Sequence, residues 1–267
     1  MDADLAFRTA ALDAAPAAAP GARRWPALDP AMVEGAALVL CDLDGCLVSE
    51  GRAFADAAGF VDLCGARLRI VSNRSDLDAD ACAAALAGQG LAVPAAHLWL
   101  AGEATLRHLA EALPRGARLR LLAPPPLAAR AAALGLSLAR PGEGPVPAAT
   151  LLCRDPAAGV EELGEVLADV AGGAELWISN LDLSHPAHDG SPVPETGALL
   201  AALRAIRPGL SFRSLGKPHP HLLTAALAEA GVAPADAVFV GDNPDTDGRA
   251  ALAAGVRFVH LDRSLAR

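Results

Sequence analysis

At 267 residues and 53% hydrophobic content, the chain is long enough for one large domain or two modest ones and too apolar to be disordered. Its net charge of -9 leaves no basic face for nucleic acid or anionic lipid, and no run approaches the roughly 18 to 20 apolar residues of a membrane span. The five cysteines, at 41, 46, 64, 82 and 153, form no CxxC pair and read as reduced, buried thiols; with no basic leader running into an apolar stretch, the expectation is a soluble cytoplasmic protein that meets a small ligand.

Residues 1 to 30, rich in alanine and proline, form an N-terminal extension. From residue 36 short apolar runs alternate with helical patterns. Strands are predicted at Ala37 to Cys41, Leu68 to Val71, Leu98 to Leu100, Leu119 to Leu122, Thr150 to Cys153, Leu176 to Ile178, Ala237 to Val240 and Val256 to His260. Their nearly continuous apolar character is that of parallel strands buried on both faces, so the fold class is α/β with crossover helices. Gly135, Gly231 and Gly255 each follow an apolar helical pattern where a left-handed residue ends a helix, and Ser75 is expected to cap a helix running toward Gly88. Pro94 and "LAPPPLAAR" open a stretch with strands and helices of its own, which reads as a separate α/β lobe inserted into the first, and "ARPGEGPVPAA" (139 to 149) is a loop within it.

In open parallel sheets ligands bind beyond the carboxyl ends of the strands, so polar residues there carry the most weight. Four groups qualify. Asp42 and Asp44 follow the first strand one residue apart, which puts both carboxylates on the same side of an extended chain, and Gly45 next to them permits a sharp turn or close approach. Ser72, Asn73 and Arg74 end the second strand in "RIVSNRS", where a hydroxyl and free backbone N–H groups suit a phosphate oxygen. Lys217, set between Gly216 and Pro218 in "SLGKPHPHLL", can hold an ammonium in a cleft, whereas His219 and His221 beside it diverge too much for a metal site. In "VFVGDNPDTDGRAA", Asp242, Asp245 and Asp247 crowd into six residues, and an all-oxygen cluster of that kind suits Mg²⁺. Singly, each group also has a plainer reading: a helix cap, a solvated lysine, an acidic loop.

In this order, the four groups resemble the motifs of the haloacid dehalogenase-like hydrolases: "DLDGCL" the first, "VSNRS" the second, "GKP" the third and "GDNPDTD" the fourth. The segment "ISNLDLSHPAHDGSPVPETGALLAALRA" followed by "GKPHPHLL" is similar to the branch with a large cap between motifs two and three, which includes p-nitrophenyl phosphate, phosphoglycolate, nucleotide and pyridoxal phosphate phosphatases. The resemblance implies a Rossmann-like parallel-sheet core over 31–93 and 186–267 and an inserted α/β cap domain over 94–185. It implies an Mg²⁺-dependent phosphatase acting on a small phosphomonoester through an aspartyl-phosphate. Asp42 would be the nucleophile, Asp44 the proton carrier, and Ser72 and Lys217 the partners of the phosphoryl group. Metal ligands would come from Asp42, Asp44 through its backbone carbonyl, Asp242 and Asp247. Gly45, Asn73 and Arg74, with Asn180, Asp182 and His185 from the cap side, would meet the substrate. "SHPAHDG", with His185 and His188, is similar to the pyridoxal phosphatase version. The family often pairs through its cap, which makes a homodimer the expectation. Two departures stand out: Cys46 where threonine is usual, and "LVSEG" after it. Against this stand a receiver-like phospho-aspartate module, which does not carry D-x-D-G, and a catalytically silent binding protein of the same fold.

Overall fold

The computed structural model describes residues 24–186 and 191–266, so His188 and the first part of the N-terminal extension lie outside the described residues. In chain order the chain forms β1 (Arg24–Trp25), β2 (Leu38–Cys41), a small hairpin of β3 (Val48–Ser49) and β4 (Arg52–Ala53), α1 (Ala57–Cys64), β5 (Leu68–Ser72), α2 (Ala79–Ala87) and β6 (Leu98–Leu100). Next come α3 (Ala101–Ala112), β7 (Arg118–Leu122), α4 (Pro125–Ala133), β8 (Ser137–Leu138), β9 (Ala149–Leu152), α5 (Val160–Ala171), β10 (Glu175–Ile178), the paired β11 (Ser184–Pro186) and β12 (Pro192–Pro194), and α6 (Thr196–Ile206). The chain closes with α7 (His221–Ala230), β13 (Ala237–Gly241), α8 (Arg249–Ala254) and β14 (Arg257–Leu261).

Every apolar run read as a strand is one, displaced by at most one residue at either end. Gly135, Gly231 and Gly255 have φ of 77°, 64° and 71°, the left-handed conformation that ends a helix without a Cβ clash. Ser75 is a correction. It does not cap α2, which starts only at Ala79; its hydroxyl instead accepts from the Arg154 N–H at 2.9 Å.

The described chain divides into two compact units. One comprises 24–72, 79–100 and 216–266 and is built on a parallel six-stranded sheet of order β1-β14-β13-β2-β5-β6. Its central strands β2 and β13 are fully buried, with Val39, Leu40, Val238, Phe239 and Val240 at 0% exposure, as parallel strands covered on both faces must be. From β2 the chain winds outward to β5 and β6, then returns to the other side of β2 as β13 and β14. The order therefore reverses between β2 and β13, and at such a switch point the flanking connections leave in opposite directions and open a crevice at the carboxyl ends of the strands.

The other unit comprises Asn73–Asp78, 101–186 and 191–215 and has its own parallel sheet, β10-β9-β7-β8. Leu106, Leu109, Leu119, Leu127, Leu151 and Trp177 form one apolar cluster in it. These limits differ from the 94–185 expected for the inserted lobe. The physical reason is pairing: β6 hydrogen-bonds to β5 and so stays with the larger sheet, while α6 packs on α5 and β10 of the smaller one.

Candidate active site

The parallel register of β2 and β13 decides which acids meet. Cys41 pairs with Val240, the Asp42 N–H donates to the Val240 carbonyl at 2.9 Å, and both strands deliver a carboxylate just past their last residue, Asp42 from one and Asp242 from the other. Asp42 and Asp242, with the thiol of Cys46, place one ligand atom each within 4.8 Å of one another. Ser72 closes β5, the strand on the other side of β2, and is 2% exposed.

Lys217 enters from the segment before α7 and is equally buried, at 2% exposure. Its ammonium lies 2.7 Å from Asp42 Oδ1 and 2.7 Å from Asp247 Oδ1, and 5.4 Å over the Phe239 ring. Burial works against that charge, but the carboxylates of Asp247 and Asp42 outweigh it and hold the ammonium above its ordinary value. Asp247 is wholly buried, and its second oxygen accepts from the Asn243 N–H at 3.2 Å. Its side chain is thus engaged by Lys217 and the loop.

One ammonium does not balance these acids. Burial first, then Asp247, pushes the Asp42 carboxyl well above the usual carboxylate range despite Lys217. Burial and Asp247 likewise push Asp242 up to about 7. Asp42, buried, and Asp242, half-buried, have oxygens close enough to share an ion and together with Asp247 outnumber the one ammonium, an arrangement that fits a hard divalent cation. Cys46 does not add to that set. Burial and the neighbouring Cys41 drive its thiol well above its ordinary value, so it stays protonated, and a neutral sulfur is a poor partner for a hard ion.

The turn that carries Asp44 is tightly specified. Gly45 has φ of 85°, its N–H donates to the Val48 carbonyl at 2.8 Å, and Asp44 bridges to Val48. The Asp242 carboxylate lies where a Cβ on Gly45 would be, so only glycine lets the two loops approach this closely. On the far side of β13, the His260 ring faces the Asp242 carbonyl at 3.1 Å.

The remaining residues expected to meet substrate belong to the smaller-sheet unit, where a network joins most of them. The Asn180 amide donates to the Asn73 carbonyl at 2.8 Å, the Asn73 amide donates to Asp182 at 2.9 Å, and the Asp182 N–H donates back to the Asn180 side chain at 3.1 Å. Arg74 pairs with Asp76 at 3.6 Å. His185 sits on β11 with its Nδ1 2.8 Å from Glu195, which also pairs with Arg154 at 3.1 Å. Glu195 and Thr196 carry no strand-end signal, because neither stands at the end of an apolar run; Arg154 does, directly after Thr150 to Cys153, but a single arginine there reads as a solvated side chain. Glu195 is marked only by its place just before the helical pattern of α6.

A family model for haloacid dehalogenase-like hydrolases matches residues 39–137, and one described as HAD-hydrolase-like matches 214–263. The glycerol-3-phosphate phosphatase of Gallus gallus is 30% identical over 260 residues, which cover 86% of this chain and 82% of that protein. A glycerol phosphate phosphatase from Mycobacterium tuberculosis, solved in complex with magnesium, superposes with a TM-score of 0.77 at 30% identity over 85% of this chain and 68% of that one. A phosphoserine phosphatase of Thermus thermophilus is 55% identical over 51 residues, so the match spans only 20% of that relative's length.

Proposed function

The chain belongs to the haloacid dehalogenase-like hydrolases, and we propose that it is an Mg²⁺-dependent phosphatase that hydrolyses a small phosphomonoester through an aspartyl-phosphate on Asp42. The observation that carries this reading is the convergence of Asp42, Asp242 and Lys217 at the switch point of the sheet, with donor atoms of the two acids within 4.8 Å and the ammonium 2.7 Å from Asp42.

The chemistry explains why the chain exports two acids there. A carboxylate nucleophile meeting a phosphate ester faces like-charge repulsion of about 4 kcal/mol per pair of charges at roughly 4 Å and an effective dielectric of 20. Bound Mg²⁺ supplies positive charge against that repulsion, with Asp42, Asp242 and the Asp44 carbonyl as the groups to hold it. Lys217 pairs with Oδ1 of Asp42, which orients the carboxylate and leaves Oδ2 to attack phosphorus. As the new Asp42–phosphorus bond forms, the ester oxygen–phosphorus bond breaks, and Asp44 gives its proton to the departing alkoxide. Asp44 then takes a proton from water, whose oxygen attacks phosphorus; inorganic phosphate leaves and Asp42 is restored. Ser72 offers its hydroxyl to the phosphoryl oxygens.

In this reading the smaller-sheet unit is the cap, and the ring of Asn73, Asn180 and Asp182, with His185 on Glu195, forms its contribution to substrate choice. Relatives named for glycerol phosphate support beginning the substrate search with small aliphatic phosphomonoesters. The test is turnover of p-nitrophenyl phosphate and of a phosphomonoester panel by purified protein with Mg²⁺, with EDTA, and with Asp42→Asn. Activity confined to the first condition is expected; equal rates in all three would sink the proposal.

A further inference from the structure

We infer that Arg263 is a positioning residue for this site: it fixes the turn that follows Asp44 and thereby the seat of Asp242. Resting on the proposed phosphatase reading, it adds a residue that belongs to none of the four sequence motifs.

Arg263 opens the short 3₁₀ turn Arg263–Ala266 after β14, remote in sequence from the turn it serves. Its Nη2 donates to the Cys46 carbonyl at 2.5 Å and its Nε to the Gly45 carbonyl at 3.2 Å. The other edge of the guanidinium takes Asp56 in a fork, with Nη1 3.1 Å from Oδ2 and Nη2 3.0 Å from Oδ1. Its plane lies over the Phe54 ring at 3.8 Å. One planar cation thus spends all three nitrogens at once, with a carboxylate and an aromatic ring fixing its own orientation.

The two carbonyls it holds belong to Gly45 and Cys46, the two residues that follow Asp44. Their turn already closes on itself through N–H groups, with Leu47 and Val48 donating to the Leu43 carbonyl and Gly45 donating to that of Val48. Arg263 supplies the complementary donors, from outside the turn. Because the Asp242 carboxylate rests against Gly45, a shift of that peptide moves the wall on which the second acid sits. Loss of the guanidinium therefore acts on metal affinity and on the chemical step, not on substrate affinity.

The experiment compares the parent protein with Arg263→Ala and Arg263→Lys by calorimetric titration with Mg²⁺ and by kinetics on p-nitrophenyl phosphate. For Arg263→Ala the expected result is Mg²⁺ affinity and kcat each lowered roughly 10–100-fold, the range for removing a support of a metal ligand. KM at saturating Mg²⁺ should stay within about twofold, as for an interaction felt mainly in the transition state. Lysine, a point charge without the fork, should restore only part of the loss, and added methylguanidinium should raise the rate of Arg263→Ala while leaving Asp42→Asn inactive. Unchanged Mg²⁺ affinity and kcat in Arg263→Ala would overturn the inference, as would an effect confined to melting temperature. Should Arg263→Ala fail to fold, Arg263→Lys and Asp56→Asn carry the same comparison, and parent-like values in both would overturn it. A parent without turnover would defeat the phosphatase reading alone, since the calorimetry still decides the role of Arg263.

Discussion

Lys217 Nζ lies 2.7 Å from Oδ1 of Asp42, and neither residue is exposed beyond 8%. Removing one partner from such a buried pair leaves charge without compensation, and Asp247 on the same ammonium makes the loss worse. Lys217→Met should therefore abolish turnover and destabilise the metal-free protein by about 3–5 kcal/mol, read from urea unfolding. The stability loss should shrink as pH falls, since the stranded carboxylates can then take up protons; a loss that stays constant from pH 8 to pH 5 would contradict this account.

Asp242 carries the same logic into metal binding. Burial and Asp247 hold its carboxyl at about 7, above its ordinary 3.8, so the folded state keeps a proton that the unfolded chain has already released. Stability from this group is complete below pH 3.8 and is lost as pH rises through about 7. A divalent ion competes for the same oxygens and displaces that proton. The rise in melting temperature on adding Mg²⁺ should be larger at pH 8 than at pH 5.5, and calorimetry near neutral pH should register proton release. An Mg²⁺ shift that ignores pH would refute the assignment.

Gly45→Ala tests the approach of the two loops. The alanine would have to hold φ of 85° and would also meet the Asp242 carboxylate. Backbone strain alone costs about 1–3 kcal/mol. The expected outcome is a lower melting temperature together with weakened Mg²⁺ binding. Retained affinity would mean that Asp242 has another place to go.

In the smaller-sheet unit Asn180 is 1% exposed, and its amide donates to the Asn73 carbonyl. Asn180→Ala leaves that carbonyl and the Asp182 N–H without their partner, at a cost of about 1–3 kcal/mol in chemical unfolding. Asn180→Asp should be no milder, because the carboxylate cannot donate. A neutral effect from both variants would show that the ring is not a structural element of the unit.

All five cysteines are free and buried. Burial pushes the Cys64 and Cys153 thiols up to about 12 and Cys46 well above its ordinary value, so little thiolate forms at neutral pH. Dithiobis-nitrobenzoate should label none of the five in the native protein and all five in guanidinium chloride. Rapid native labelling of Cys46 would expose the turn as open.

The alternation of strands and helices is written in the residues themselves. Unbroken apolar runs such as Leu38–Cys41 and Ala237–Gly241 can be satisfied only by strands buried on both faces, and acids placed where such runs stop must emerge at the carboxyl edge of the sheet. The glycines after helices announced their left-handed φ because no other residue adopts it so cheaply. β1 and β8, and the pairs β3 with β4 and β11 with β12, carry no such signal, because none of these two- or three-residue strands is an apolar run. Which charges meet depends on the folded sheet. Asp242 and Asp247 look alike along the chain, yet one comes within reach of Asp42 at the crevice and the other is buried against Lys217. Arg263 is as polar and unremarkable in sequence as any surface arginine, and it reaches Gly45 and Cys46 only because β14 ends beside their turn. Local pattern fixes where the backbone must be buried, whereas the pairing of charges depends on strand register and on dielectric, which exist only once the sheet has formed.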